Sequence, residues 1–172
     1  MLDTYNTLFI EIFIVLMFSA FFSGTEIAFV SSNKMRFEME REDGGITSRI
    51  IDIFYKHPSN FISTILVGNN IALVIYGILM AKLIDGLIIQ TIVSTIIVLF
   101  TGEFLPKMLF RINPNRMIRI CAFPAMLFYI LLWPISKITS GLSQMILFLL
   151  GMRAPKEEEE QGFRKADLDH LI

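Results

Sequence analysis

The chain has 172 residues, 54% of them hydrophobic, with sixteen Phe, ten Met and a mean hydropathy of +0.63. Soluble domains are about 45–50% apolar, so this composition points to a membrane protein. A formal net charge of −1 argues against a nucleic-acid surface, and the lone Cys121 excludes an intrachain disulfide and a thiolate metal site.

No Lys or Arg precedes residue 34, so the basic n-region of a cleaved signal peptide is missing and the first apolar run is expected to be retained. Three segments reach the roughly 20 apolar residues that a bilayer crossing needs. They cover about residues 8–30, 61–81 and 87–110. Residues 31–60 carry Lys34, Arg36, Arg41, Arg49 and Lys56. They read as two short amphipathic helices, the first stopped at Gly44-Gly45 and the second broken by Pro58. Residues 107–119 add Lys107, Arg111, Arg116 and Arg119, whereas the link at 82–87 holds only Lys82. The bias of basic residues places the N-terminus outside, and residues 31–60 with everything after the third span in the cytoplasm.

Residues 117–151 are apolar enough to suggest a fourth span, but Pro124, Pro134, Lys137 and Gly141 divide them. The resulting pieces, roughly half a span each, suit helices lying in the inner interface as a belt. A fourth span or re-entrant hairpin is the competing reading. The expectation is an all-α integral membrane domain over residues 1–151, with juxtamembrane helices at 31–60 and 114–151. Residues 152–172 then form an acidic linker around Glu157–Glu160, leading towards a cytosolic domain beyond this chain.

Polar residues interrupt all three spans. Ser19, Ser23 and Glu26 are spaced i, i+4, i+7 and share one helix face, with Gly24 beside them. Ser and Gly also serve plain interhelical packing, and Glu26 lies close enough to the span end to meet headgroups. The second span holds Gly68, Asn69 and Asn70 at its middle. Two adjacent amides at that depth are costly without partners. They fit either amide bonding between helices or an unwound turn whose carbonyls face a polar site. In the third span Glu103 stands between Gly102 and Pro106. Proline has no N–H and crowds the carbonyl four residues back, so free acceptors are expected beside the carboxylate. Glu103 reads as functional or as half of a structural salt bridge. Lys107, at i+4, is either its partner or snorkels to the interface.

Counted from the basic flanks at Lys34, Lys56 and Arg111, the residues Ser23, Asn69 and Glu103 fall within about a turn of one level, at about 1.5 Å per residue. Hydroxyl, amide, carbonyl and carboxylate oxygens at one height suit a hard cation such as Mg2+ or Na+ and disfavour Zn2+ or copper. About six oxygens are available from Ser19, Ser23, the Gly68 region, Asn69 and Glu103.

The serine pair with SGTE (Ser19, Ser23 to Glu26), the GNN of Gly68 to Asn70 and the GEFLPK of Gly102 to Lys107 resemble the transmembrane domain shared by bacterial CorC and animal CNNM proteins. The likeness covers about residues 5–150. It implies a homodimer in the bacterial inner membrane, three spanning helices per subunit, a belt of juxtamembrane helices and sodium-coupled Mg2+ export. It further implies Ser19, Ser23, the Gly68 carbonyl, Asn69 and Glu103 as Mg2+ ligands. Thr25, Glu26, Asn70, Gly102, Pro106 and Lys107 would be supporting or sodium-linked residues. One departure stands out: many relatives carry another Asn where this chain has Leu73, which bears on sodium coupling.

The competing function is a membrane-embedded metal sensor or scaffold that acts on partners without transport. An intramembrane enzyme is not expected, because the spans hold no HExxH or nucleophilic triad, and His57 and His170 lie outside them.

Overall fold

The computed structural model describes residues 2–39 and 45–150. The expected linker at 152–172 and the Gly44 helix stop lie outside the described residues. Within them the chain is all helical: α1 (Leu2–Ser31), α2 (Lys34–Met39), α3 (Ile46–Lys56), α4 (Pro58–Leu83), α5 (Leu87–Ile97), a π-helical segment (Val98–Phe104), α6 (Leu105–Ile112) and α7 (Pro114–Leu149).

The helix limits follow from local chemistry. Pro58 opens α4 in its first turn, where its missing N–H is no loss. Gly86, at φ +96°, turns the chain between α4 and α5 in a conformation that costs a glycine little. α5, the π segment and α6 run on as one rod, Leu87–Ile112. Proline at 106 explains the change of register within it. Leu105 N–H bonds back to Phe100 O, five residues away, and Pro106 then offers no N–H at all.

α1 and α4 are antiparallel, since Ser19 meets Asn69 while Ile12 packs near Met80 and Phe29 near Phe61. α1 and the third rod are parallel, because Gly102, Lys107 and Phe110 meet Ser19, Glu26 and Gly24 on α1. This alternation is what three successive crossings require.

The amphipathic α3 buries Ile50, Ile51 and Phe54 against the bundle end. There an aromatic cluster forms, with Phe54 and Phe61 stacked at 4.0 Å and Phe29 and Phe61 at 4.8 Å between ring centres. Such pairs are worth about 0.5–1.5 kcal/mol each beyond simple burial.

α7 corrects the expectation that residues 117–151 are chopped into short interfacial pieces. It is one helix of 36 residues with Pro124 and Pro134 inside it. Each proline removes a single ladder bond, whereas unwinding in an apolar setting would strand many backbone groups. Burial on one face holds it further: Ile118, Ala122 and Ala125 are fully covered, and Tyr129 and Leu132 nearly so. Four helical stretches are therefore long and apolar enough to cross a membrane: Tyr5–Ser31, Pro58–Leu83, Leu87–Ile112 and Pro114–Ile135.

Candidate functional site

The polar residues of the first three apolar rods converge on one seam. The Ser19 hydroxyl donates to Asn69 Oδ1 at 2.9 Å, joining α1 to α4. Gly102 closes the third side. A Cβ built there would stand 3.1 Å from Ser19 Oγ and 3.1 Å from Val98 Cγ2. Only a hydrogen at Gly102 lets the π segment approach the hydroxyl–amide pair this closely.

Ser23, one turn further along the same face of α1, is fully buried, and its Oγ has no hydrogen-bond partner among the described residues. A stranded buried hydroxyl costs about 1–3 kcal/mol, and the buried Thr25 Oγ1 is likewise without a hydrogen-bond partner among the described residues. Glu103 follows Gly102 and is half-buried. Lys107 does not pair with it. The Lys107 ammonium instead lies 3.8 Å from Glu26 of α1, in a pair that is about one-third exposed. This contact ties α1 to α6 one turn nearer the basic end.

The break in helical geometry is in a different span from one of the two readings of GNN. No unwound turn occurs at Gly68 to Asn70, because α4 is continuous from Pro58 to Leu83. Gly68 is buried and serves close packing, since a Cβ there would stand 2.5 Å from the ring of Phe22. The irregular backbone is the π segment of the third rod, which contains Gly102 and Glu103 and is followed by Pro106. Single π turns inside helices recur at functional sites, because they free carbonyls and redirect side chains.

Two further candidates sit apart from the seam. Asn70, a residue round from Asn69, is exposed on the outside of the bundle. Thr25 is buried on the far side of α1 against Cys121 of α7. Leu73 lies one turn from Asn69 on the same face of α4, so the departure noted in the sequence puts an apolar side chain along the seam.

The donor set is hydroxyl, amide and carboxylate oxygen, with backbone carbonyls at the π segment. No group of three or more His, Cys, Asp and Glu that could hold a metal occurs among the described residues.

These features define an all-α membrane domain with an oxygen-lined seam between three apolar rods. The chain belongs to the CNNM family: the cyclin M transmembrane N-terminal domain matches residues 9–172. Similar curated proteins are the UPF0053 protein MG146 of Mycoplasma genitalium, 29% identical over 80% of this chain and 35% of that protein. The UPF0053 inner membrane protein YfjD of Escherichia coli is 27% identical over 78% of this chain and 33% of its own length. A UPF0053 protein of Haemophilus influenzae is 28% identical over 86% and 38% respectively. The chain thus spans about a third of the length of the curated relatives it matches.

Sequence reasoning grouped Ser19, Ser23, Gly68, Asn69 and Glu103, with Gly102 as a supporting residue; the structure brings Ser19, Asn69 and Gly102 into contact and turns Gly68 to Phe22. Sequence reasoning did not identify Phe22 as the partner of Gly68 or Phe110 as the partner of Gly24, where a Cβ would come within 2.7 Å of the ring. The only signal for either is a glycine in a span, and that does not say which side chain fills the space.

Proposed function

We propose that this domain exports Mg2+ from the cytoplasm in exchange for Na+, with the cation carried in the Ser19–Asn69–Gly102 seam. The observation that carries the reading is the meeting of the Ser19–Asn69 hydrogen bond with the π segment, beside an unpartnered and fully buried Ser23 hydroxyl. Mg2+ demands near-octahedral oxygen coordination at about 2.0–2.1 Å. Ser19 Oγ, Ser23 Oγ, Asn69 Oδ1 and the Glu103 carboxylate supply four donors. A backbone carbonyl freed near Pro106 is the readiest further one, and the Gly68 carbonyl joins only if α4 opens there. Water completes the shell.

The Ser19–Asn69 bond has a natural role in this cycle. Without a cation, the serine proton satisfies the amide oxygen. With one, the proton rotates away and both oxygens turn to the metal. One carboxylate among neutral donors keeps binding weak enough for release. Sodium entering down its gradient favours the conformer that releases Mg2+ outward. The Glu26–Lys107 pair sits between the seam and the basic end, where it guards the cytoplasmic mouth. The domain acts as a homodimer, with its N-terminus outside.

The test is Mg2+ efflux from loaded proteoliposomes with and without external Na+. Sodium-stimulated flux that is lost in Ser23→Ala and Glu103→Gln supports the reading. Unchanged flux in both variants refutes the residue assignment. The relatives extend well beyond the matched region, so a second reading is that bound metal signals to the remainder of the protein. Mg2+ binding with no flux in liposomes favours that sensor.

A further inference from the structure

The basic end of the bundle holds a cavity of about 350 Å3 that the cation seam does not use. It lies where α1 has ended, α6 stops and α7 begins. Its wall carries Asn33, Asn113, Asn115, Arg116 and Arg119, and no carboxylate lines it among the described residues. Exposed Ile112 gives it one apolar lip.

Two contacts fix this wall. The Asn33 backbone N–H donates to Asn115 Oδ1 at 3.0 Å, linking the start of α2 to the first turn of α7. The Arg119 guanidinium lies over the ring of Phe37 in α2, 5.5 Å from its centre. Arg119 is thereby held along the wall by a neighbouring helix, and α2 and α7 share the cavity as one unit.

Among the described residues, every charged group lining the cavity is a guanidinium, the side chain whose planar fork matches the oxygens of phosphate. The asparagines add neutral amide donors beside it. The cavity also sits at the ends of membrane-length helices, the level at which lipid phosphates lie. We infer that it is a phosphate-binding site, filled by the headgroup of an anionic phospholipid or by a soluble phosphate. Its occupant would bridge the end of α1, α2 and the α6–α7 junction, clamping the elements just beyond Glu26 and Lys107.

The experiment uses the full chain, stripped of lipid in neutral detergent. It is then given phosphatidylglycerol in mixed micelles, or inorganic phosphate alone, and bound ligand is counted by native mass spectrometry. Arg116→Gln should weaken binding about tenfold. Asn115→Asp keeps the acceptor for Asn33 but puts an anion in the wall, and should cause a similar loss. Arg119→Lys keeps the charge but loses the planar fork and the stacking on Phe37, and should weaken binding by several-fold. Arg111→Gln removes a basic residue at the same end but outside the cavity, and should leave binding unchanged.

Phosphatidylglycerol held against excess inorganic phosphate identifies a lipid as the occupant. Binding of inorganic phosphate with no preference for the lipid identifies a soluble source. Either supports the site. Wild-type binding in both Arg116→Gln and Asn115→Asp overturns it. So does an equal loss in Arg111→Gln, which would mark diffuse surface attraction.

Discussion

Gly102→Ala tests the seam most directly. The added methyl would lie 3.1 Å from Ser19 Oγ, 3.5 Å from Ser19 Cβ and 3.1 Å from Val98 Cγ2. The neighbours must give way by a few tenths of an ångström, and the atom best able to move is the hydroxyl that bonds Asn69. Overpacking of this kind costs about 1–3 kcal/mol, while alanine in a helix recovers up to about 1 kcal/mol relative to glycine. Net stability should therefore fall by no more than about 3 kcal/mol. Pushing the Ser19 hydroxyl away from Asn69 misplaces two of the proposed oxygen donors and should weaken cation binding by about tenfold, equivalent to about 1.4 kcal/mol. Gly77→Ala is the matched control, because a Cβ there meets nothing within 4 Å. It should leave binding unchanged and stability equal or slightly higher. The assay is Mg2+ titration of the purified domain by calorimetry, alongside thermal unfolding. Wild-type affinity in Gly102→Ala would refute the placement of the cation beside Ser19.

Four other outcomes are expected. Gly68→Ala, which drives a methyl to 2.5 Å from the Phe22 ring, should destabilise the domain by about 1–3 kcal/mol, and Phe22→Leu should recover much of that in a double-mutant cycle read by thermal unfolding. Glu26→Gln should change stability by under about 1 kcal/mol, because the pair with Lys107 is partly exposed, while altering the salt dependence of transport measured in liposomes. Tyr76→Phe should cost about 1 kcal/mol of stability, since the buried Tyr76 hydroxyl donates to the Ser94 carbonyl at 3.1 Å and ties α4 to α5 just before the π segment. Pro106→Ala restores a backbone N–H and should reduce the π character of residues 98–104; Mg2+ binding would fall by several-fold in calorimetry, whereas unchanged binding would show that the freed carbonyls are not used.

The level matching of Ser23, Asn69 and Glu103 was legible because each helix rises by a fixed step from a basic flank. The Ser19–Asn69 bond and the approach of Gly102 agree with it. The partner of Lys107 was not legible. Within one helix Glu103 lies at the favourable spacing, but the parallel packing of α1 brings Glu26 to it instead. The site of the helix break was half legible. Pro106 announced freed carbonyls, yet the amide pair at Asn69 and Asn70 offered an unwound turn as well. An uninterrupted α4 keeps its own ladder intact, and the structure resolves the pair by pointing one amide at Ser19 and the other outward.

By itself the sequence determined the class of the protein, its apolar rods and the residues that could form a cation seam. Length, hydropathy and side-chain chemistry are local properties that need no partner. Only the tertiary structure decided that α7 runs unbroken through two prolines, because the burial that favours it comes from α1, α3 and α4. It alone decided which glycines serve packing and which opens the seam. The difference lies in the side chain that faces each one, Phe22 at Gly68, Phe110 at Gly24 and Ser19 at Gly102, and that is set by how the helices dock.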